Sequence, residues 1–147
     1  MNEIFNLDFI YFFSDGKRYF VSQSNSHKDP FVFVKPSPGT PAATFGGALV
    51  ALDVRTGDIL WQTANPLQTG GLAPVSYSNG VVWYGSNDNN GHLFALNAET
   101  GEILFDFITG GTVGCGPSIV DGIVYAGSGY QRFGGGTNNT KLFALSH

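Results

Sequence analysis

Few side chains of this sequence have types and spacings that could do chemistry. Cys115 is its only cysteine, in Thr112-Val113-Gly114-Cys115-Gly116-Pro117. One chain therefore offers neither an internal disulfide nor a multi-cysteine metal site. His27, His92 and His147 follow no metal-ligand spacing. His27, beside Lys28 and Asp29, is the best placed of the three for a ligand or substrate contact, but a solvated loop is the preferred reading. Asn87-Asp88-Asn89-Asn90-Gly91 looks like half of a calcium loop, but Asn97 then falls where a bidentate Glu is needed, and a turn accounts for the residues. Gly127-Ser128-Gly129 lacks the third glycine and the following helix of a dinucleotide fingerprint. No Cys-x-x-Cys-His haem site occurs. Asn138-Asn139-Thr140 is a glycosylation sequon, with meaning only in a secreted chain.

The elements that must position these residues are short and apolar. The chain has 147 residues, of which 42% are hydrophobic and 14% aromatic, enough for a core. Seven basic and 11 acidic residues give a net charge of −4, and no Lys/Arg run exists. A nucleic-acid partner or a polybasic membrane surface is disfavoured. The apolar start, Ile4 to Phe13, carries Asp8 and is too short for a membrane span. It has no basic leader region, so no signal peptide is evident and a β-strand is expected.

The sequence repeats itself. Ala51-Leu52-Asp53-Val54-Arg55-Thr56-Gly57-Asp58-Ile59-Leu60-Trp61 returns 44 residues on as Ala95-Leu96-Asn97-Ala98-Glu99-Thr100-Gly101-Glu102-Ile103-Leu104-Phe105. A cut-off third copy ends the chain at Leu142-Phe143-Ala144-Leu145-Ser146. Asn79-Gly80-Val81-Val82-Trp83-Tyr84-Gly85-Ser86 matches Asp121-Gly122-Ile123-Val124-Tyr125-Ala126-Gly127-Ser128 and, more weakly, Asp15-Gly16-Lys17-Arg18-Tyr19-Phe20-Val21-Ser22. In the middle unit this predicts four strands, Leu72–Ser78, Val81–Ser86, His92–Asn97 and Glu102–Ile108, rich in Val, Ile and aromatics. Asn79-Gly80, Asn90-Gly91 and Asp121-Gly122 suit two-residue hairpins, whose central residues both need positive φ. No stretch shows a helical period.

A four-stranded unit of about 44 residues is the size of one β-propeller blade, and stacked units bury each other's faces. The expected fold is all-β: a partial β-propeller of about three four-stranded antiparallel blades. Residues 1–65 form an incomplete first blade with an insertion over 27–47, residues 66–110 a second, and residues 111–147 a third lacking its fourth strand. Phe9 to Phe13 are expected as a first strand. The insertion makes the interval from Gly16 to Ala51 20 residues longer than that from Gly80 to Ala95; Phe31-Val32-Phe33-Val34 in it could form an extra edge strand. Such an insertion can carry binding or be a plain surface loop.

The string Ala51-x-Asp53-x-x-Thr56-Gly57-Asp58-x-x-Trp61 resembles the repeat of propellers of the pyrroloquinoline-quinone (PQQ) type, the quinoprotein alcohol dehydrogenase-like proteins. The second copy keeps Ala95, Thr100, Gly101 and Glu102 but has Asn97 for the Asp and Phe105 for the Trp. The resemblance implies a blade-docking motif rather than catalytic residues, so Asp53, Asp58, Glu99 and Glu102 are not assigned acid–base work. Ser24-Asn25-Ser26-His27-Lys28, Lys35-Pro36-Ser37, Gly46-Gly47-Ala48-Leu49-Val50-Ala51-Leu52-Asp53 and Trp61-Gln62-Thr63-Ala64-Asn65-Pro66 resemble the polyvinyl-alcohol dehydrogenase-like branch. That implies PQQ with calcium, oxidation of secondary alcohols and transfer of electrons to a c-type haem. Members are often periplasmic or secreted. Cys115 would then border the funnel as a weak candidate for facing the cofactor. A small residue packed near the axis explains it too, and the vicinal Cys pair of many quinoprotein alcohol dehydrogenases is absent.

Closed propellers have about 4–8 blades. The chain therefore reads as the C-terminal part of a longer propeller, its closing strand absent, expected to be inactive alone and to associate with missing blades or with itself. The alternatives are a non-enzymatic propeller scaffold for protein binding, like the outer-membrane assembly lipoproteins that share the repeat, and a truncated gene product without its own function.

Overall fold

In the computed structural model, residues 10–131 and 136–146 are described. Every element among them is a strand. The first sheet is built from β1 (Ile10–Ser14), β2 (Arg18–Gln23), β5 (Ala48–Asp53) and β6 (Ile59–Ala64), in that order. The second holds β7 (Ser76–Ser78), β8 (Val81–Gly85), β9 (His92–Asn97) and β10 (Ile103–Ile108) as an antiparallel meander. The third holds β11 (Ser118–Val120), β12 (Ile123–Gly127) and β13 (Leu142–Leu145). The chain is all-β, a partial propeller of three stacked antiparallel sheets.

The middle sheet follows the expected strands closely, except that its first strand is confined to Ser76–Ser78. Pro74 has no N–H to donate to a ladder, so pairing starts after it. Of the N-terminal apolar stretch, the part up to Phe9 lies outside the described residues; β1 pairs with β2 from Ile10↔Gln23 to Ser14↔Tyr19.

Two hairpins have the expected turn: Asn79 and Gly80 take φ 48° and 80°, Asp121 and Gly122 take φ 51° and 77°. Asn90-Gly91 does not. Only Gly91 has positive φ there. The connection is instead a loop wound around Asp88, whose carboxylate accepts N–H groups from Asn90 (2.8 Å), Gly91 (2.9 Å) and His92 (3.0 Å). Three donors on one carboxylate hold a wider loop than a two-residue turn allows.

Three apolar clusters follow from the alternation of side chains along each strand. Phe20, Leu49, Ala51 and Trp61 of the first sheet meet Val82, Tyr84, Phe94 and Leu96 of the second. Leu93, with Trp83 and Phe107, meets Val113, Ala126 and Leu145 of the third unit. The opposite face of the first sheet, Ala48, Val50 and Ala64, is covered by Phe33 of the insertion, with Phe31 beside it. Phe31 and Val32 form β3, which pairs with β4 (Ala43–Thr44) in a separate small hairpin.

Candidate functional site

The repeated motif converges on the seam between the first two sheets. Its turn is shaped by one side-chain acceptor. Asp53 Oδ1 accepts the N–H groups of Arg55 (2.7 Å) and Thr56 (3.0 Å). These bonds, and the nearby Arg55 charge, hold the Asp53 carboxyl below its ordinary range. In the second copy Asn97 Oδ1 accepts from Glu99 (2.8 Å) and Thr100 (3.2 Å) in the same way. Asn thus replaces Asp without loss of the turn, because only an acceptor is required. Gly57 and Gly101 follow at φ 75° and 74°.

Across the seam, Trp61 is 3% exposed and its Nε1–H donates to the Ala98 carbonyl of the next sheet at 3.0 Å. Thr63 Oγ1 donates to the Gly101 carbonyl at 2.7 Å and receives a bond from Ser37 Oγ at 2.7 Å. A Cβ on Gly101 would fall 2.5 Å from Trp61 Cε3, so the ring lies where any other residue would place its side chain. Ala51 pairs directly with Trp61, and Ala95 with Phe105, leaving room beside each ring. Phe105 has no such turn over it among the described residues; it is 45% exposed and leans edge-on against Trp83. Thr56 and Gly57 are exposed, and nothing lies within 4 Å of a Cβ built on Gly57.

Arg18 is a second tie across the same seam, and the sequence offered no signal for it beyond its place after the Asp15-Gly16 turn. Its Nη1 donates to the Ala98 carbonyl at 2.8 Å and pairs with Glu99, while its Nε and Nη2 clamp Asp15 Oδ2 at 2.9 and 2.7 Å. Burial works to raise the Asp15 pKa. The N–H groups of Lys17 and Arg18 and the guanidinium outweigh it, so the carboxyl sits below its usual value. Ala98 is fully buried, and its carbonyl takes donors from both Trp61 and Arg18.

The other candidate residues lie apart from this seam. Cys115 is exposed, with Sγ donating to the Gly127 carbonyl at 3.2 Å. His27 is exposed in a turn of the insertion. His147 is outside the described residues. His92 belongs to a cluster that spacing alone did not reveal: its Nδ1–H donates to Asp106 Oδ1 at 2.6 Å, and its Nε2 lies 3.9 Å from Asp88 Oδ1. Asp88 and His92 are four residues apart on one loop, but Asp106 arrives only through the β9–β10 pairing Ile108↔His92. Tyr84 is enclosed in the seam; burial pushes its phenol up to about 12, against the Asn65 amide. Among the described residues no three His, Cys, Asp or Glu side chains are grouped to hold a metal ion. No helix among them is long and apolar enough to cross a membrane.

A family profile of PQQ repeats, described as outer membrane protein assembly factor BamB, matches residues 45–141. The chain belongs to this PQQ-repeat family. A polyvinylalcohol dehydrogenase of Sphingopyxis sp. (strain 113P3) is 33% identical over 132 residues, covering 67% of this chain and 20% of its own length. The chain thus spans about a fifth of that relative. Two solved structures share the fold. BamB from Moraxella catarrhalis has TM-score 0.57 at 20% identity, over 92% of this chain and 36% of that one. A europium-containing methanol dehydrogenase has TM-score 0.57 at 19% identity, over 84% and 21%. The PQQ-repeat chain is therefore related in sequence to a polyvinylalcohol dehydrogenase.

Proposed function

We propose that this PQQ-repeat chain builds consecutive blades of an alcohol-oxidising, PQQ-dependent propeller of the polyvinyl-alcohol dehydrogenase type, and that its own residues are scaffold rather than reacting groups. The observation that carries this reading is the seam of Trp61, Ala98 and Gly101, in which the repeated residues bind one sheet to the next. In this reading Ala51, Asp53, Thr56, Gly57 and Trp61, with Ala95, Asn97, Thr100, Gly101 and Phe105, dock blades. The blades are residues 1–65, 66–110 and 111–147. Exposed Phe12 (69%), Val120 (58%) and Leu142 (74%) are surfaces for further blades or for a second copy.

The donor set does not fit a PQQ–calcium site built from this chain alone. Asp88 is occupied by three backbone N–H groups, His92 by Asp106, and Cys115 stands between two glycines without a second thiol. No step is derived through the quinone. Titration with PQQ and calcium ions, followed by an alcohol-driven dye-reduction assay, tests the proposal. The expected result is no saturable quinone binding and no turnover by this chain by itself. Saturable binding with dye reduction would refute the scaffold assignment. The family's description as an assembly factor favours a second reading, a propeller that binds proteins without catalysis. The same titration on the chain joined to the remaining blades separates the two, since only the enzyme reading requires the quinone to bind there.

A further inference from the structure

We infer that the outer edge of β10 is a docking site for a basic, apolar, extended segment of a partner protein, which joins the second sheet as an added strand. The chain carries its own precedent. On the first sheet the equivalent edge is β6, and residues 34–37 of the insertion lie along it. Pro36 and Gln62 form a parallel bridge. Gln62 N–H donates to the Lys35 carbonyl at 2.8 Å, and Ser37 N–H donates to the Gln62 carbonyl at 2.9 Å. The Gln62 side chain completes the grip: its Oε1 accepts the N–H groups of Val34 (2.7 Å) and Lys35 (3.1 Å).

The repeat puts Asp106 in the place of Gln62. Gln62 pairs with Val50 and Asp106 with Phe94, each 44 residues on. The Asp106 backbone N–H and carbonyl therefore face the open edge, and among the described residues no segment outside the sheet hydrogen-bonds to the β10 backbone. The Asp106 side chain is 46% exposed; Oδ1 is held by His92, and Oδ2 has no protein partner among the described residues. A carboxylate oxygen can accept two successive N–H groups as the Gln62 amide does, and with charge assistance.

The surroundings define the partner. Leu104 (54% exposed) and Ile108 (61%) offer apolar contact. A cavity of about 220 Å³ beside the start of β10 is lined by Pro38, Pro41, Pro66, Glu102 and Ile103. Glu102 and Asp106 make the edge acidic, so a basic segment suits it. Open apolar edges without Lys or Pro are templates for strand addition. Among the described residues β6 is covered and β10 is not.

A fluorescein-labelled peptide of residues 31–37, which carries the docking segment of β6, serves as the probe, read by anisotropy against the whole chain. Saturable binding is expected, weakened at least about tenfold by Asp106→Pro, which removes the outward N–H and the carboxylate but is tolerated at an edge. Leu104→Lys is expected to weaken it as well. Exchange of the Asp106 amide hydrogen should slow at least about tenfold on peptide addition. No saturable binding up to about 1 mM overturns the proposal, as does binding unaffected by Asp106→Pro in a protein of unchanged circular dichroism. Should that variant not fold, unchanged exchange at Asp106 in the parent chain overturns it. A dimer that forms without peptide and is abolished by Leu104→Lys would make a second copy the occupant and overturn the partner assignment.

Discussion

The Ala98 carbonyl makes the seam between the first two sheets open to a double-mutant cycle. It accepts from Trp61 Nε1 at 3.0 Å and from Arg18 Nη1 at 2.8 Å, and Ala98 is fully buried. Trp61→Phe keeps an aromatic ring but deletes one donor. The carbonyl still has Arg18, so it stays satisfied and the hydrogen-bond part of the loss sits at the low end of the ordinary net range, about 0.5 kcal/mol. The smaller ring adds a cavity cost of about 1–2 kcal/mol. Arg18→Met deletes the other donor, again leaving one in place. The double variant leaves a buried carbonyl with neither donor, and an orphaned group of that kind costs about 1–3 kcal/mol. The two changes together should therefore exceed the sum of the singles by about 1 kcal/mol or more. Urea unfolding followed by far-ultraviolet circular dichroism, at one fixed protein concentration, measures this. Additivity within about 0.3 kcal/mol would refute the shared-acceptor account.

Three further outcomes follow from the same geometry. Gly101→Ala puts a methyl group against the Trp61 ring at a left-handed φ of 74°, and a loss of about 2–4 kcal/mol is expected in the same urea assay. Gln62→Leu removes the acceptor for the Val34 and Lys35 N–H groups, so residues 34–37 should become the first site of limited proteolysis while the second sheet keeps its protection. Asp15 has a folded pKa below its unfolded value of about 3.9. The stability it contributes is present above that value and is lost as pH falls through the folded pKa. Comparing acid unfolding of the parent and Asp15→Asn should therefore show their difference shrinking below about pH 3.9, and a constant difference would contradict the clamp.

Much of this was legible in the chain because the signals are local and repeated. Asn79-Gly80 and Asp121-Gly122 impose their turns through φ, and the 44-residue echo places Trp61 and Phe105 at matching positions. Asn90-Gly91 misled for the same reason: a local dipeptide rule was overruled by Asp88, whose carboxylate gathers three N–H groups into a wider loop.

The sequence by itself determined the strands, most of the hairpins, the repeat and with it the propeller class, since period-two apolarity and turn chemistry act over a few residues. Only the tertiary structure decided what those repeats meet. Trp61 is covered and Phe105 is not, although their sequence contexts match. The insertion closes the β6 edge while β10 stays open among the described residues, and Arg18 and Asp106 gain their partners 80 and 14 residues away. Such contacts depend on which sheets stack side by side, and hydrogen bonds across that distance leave no periodic mark in the chain.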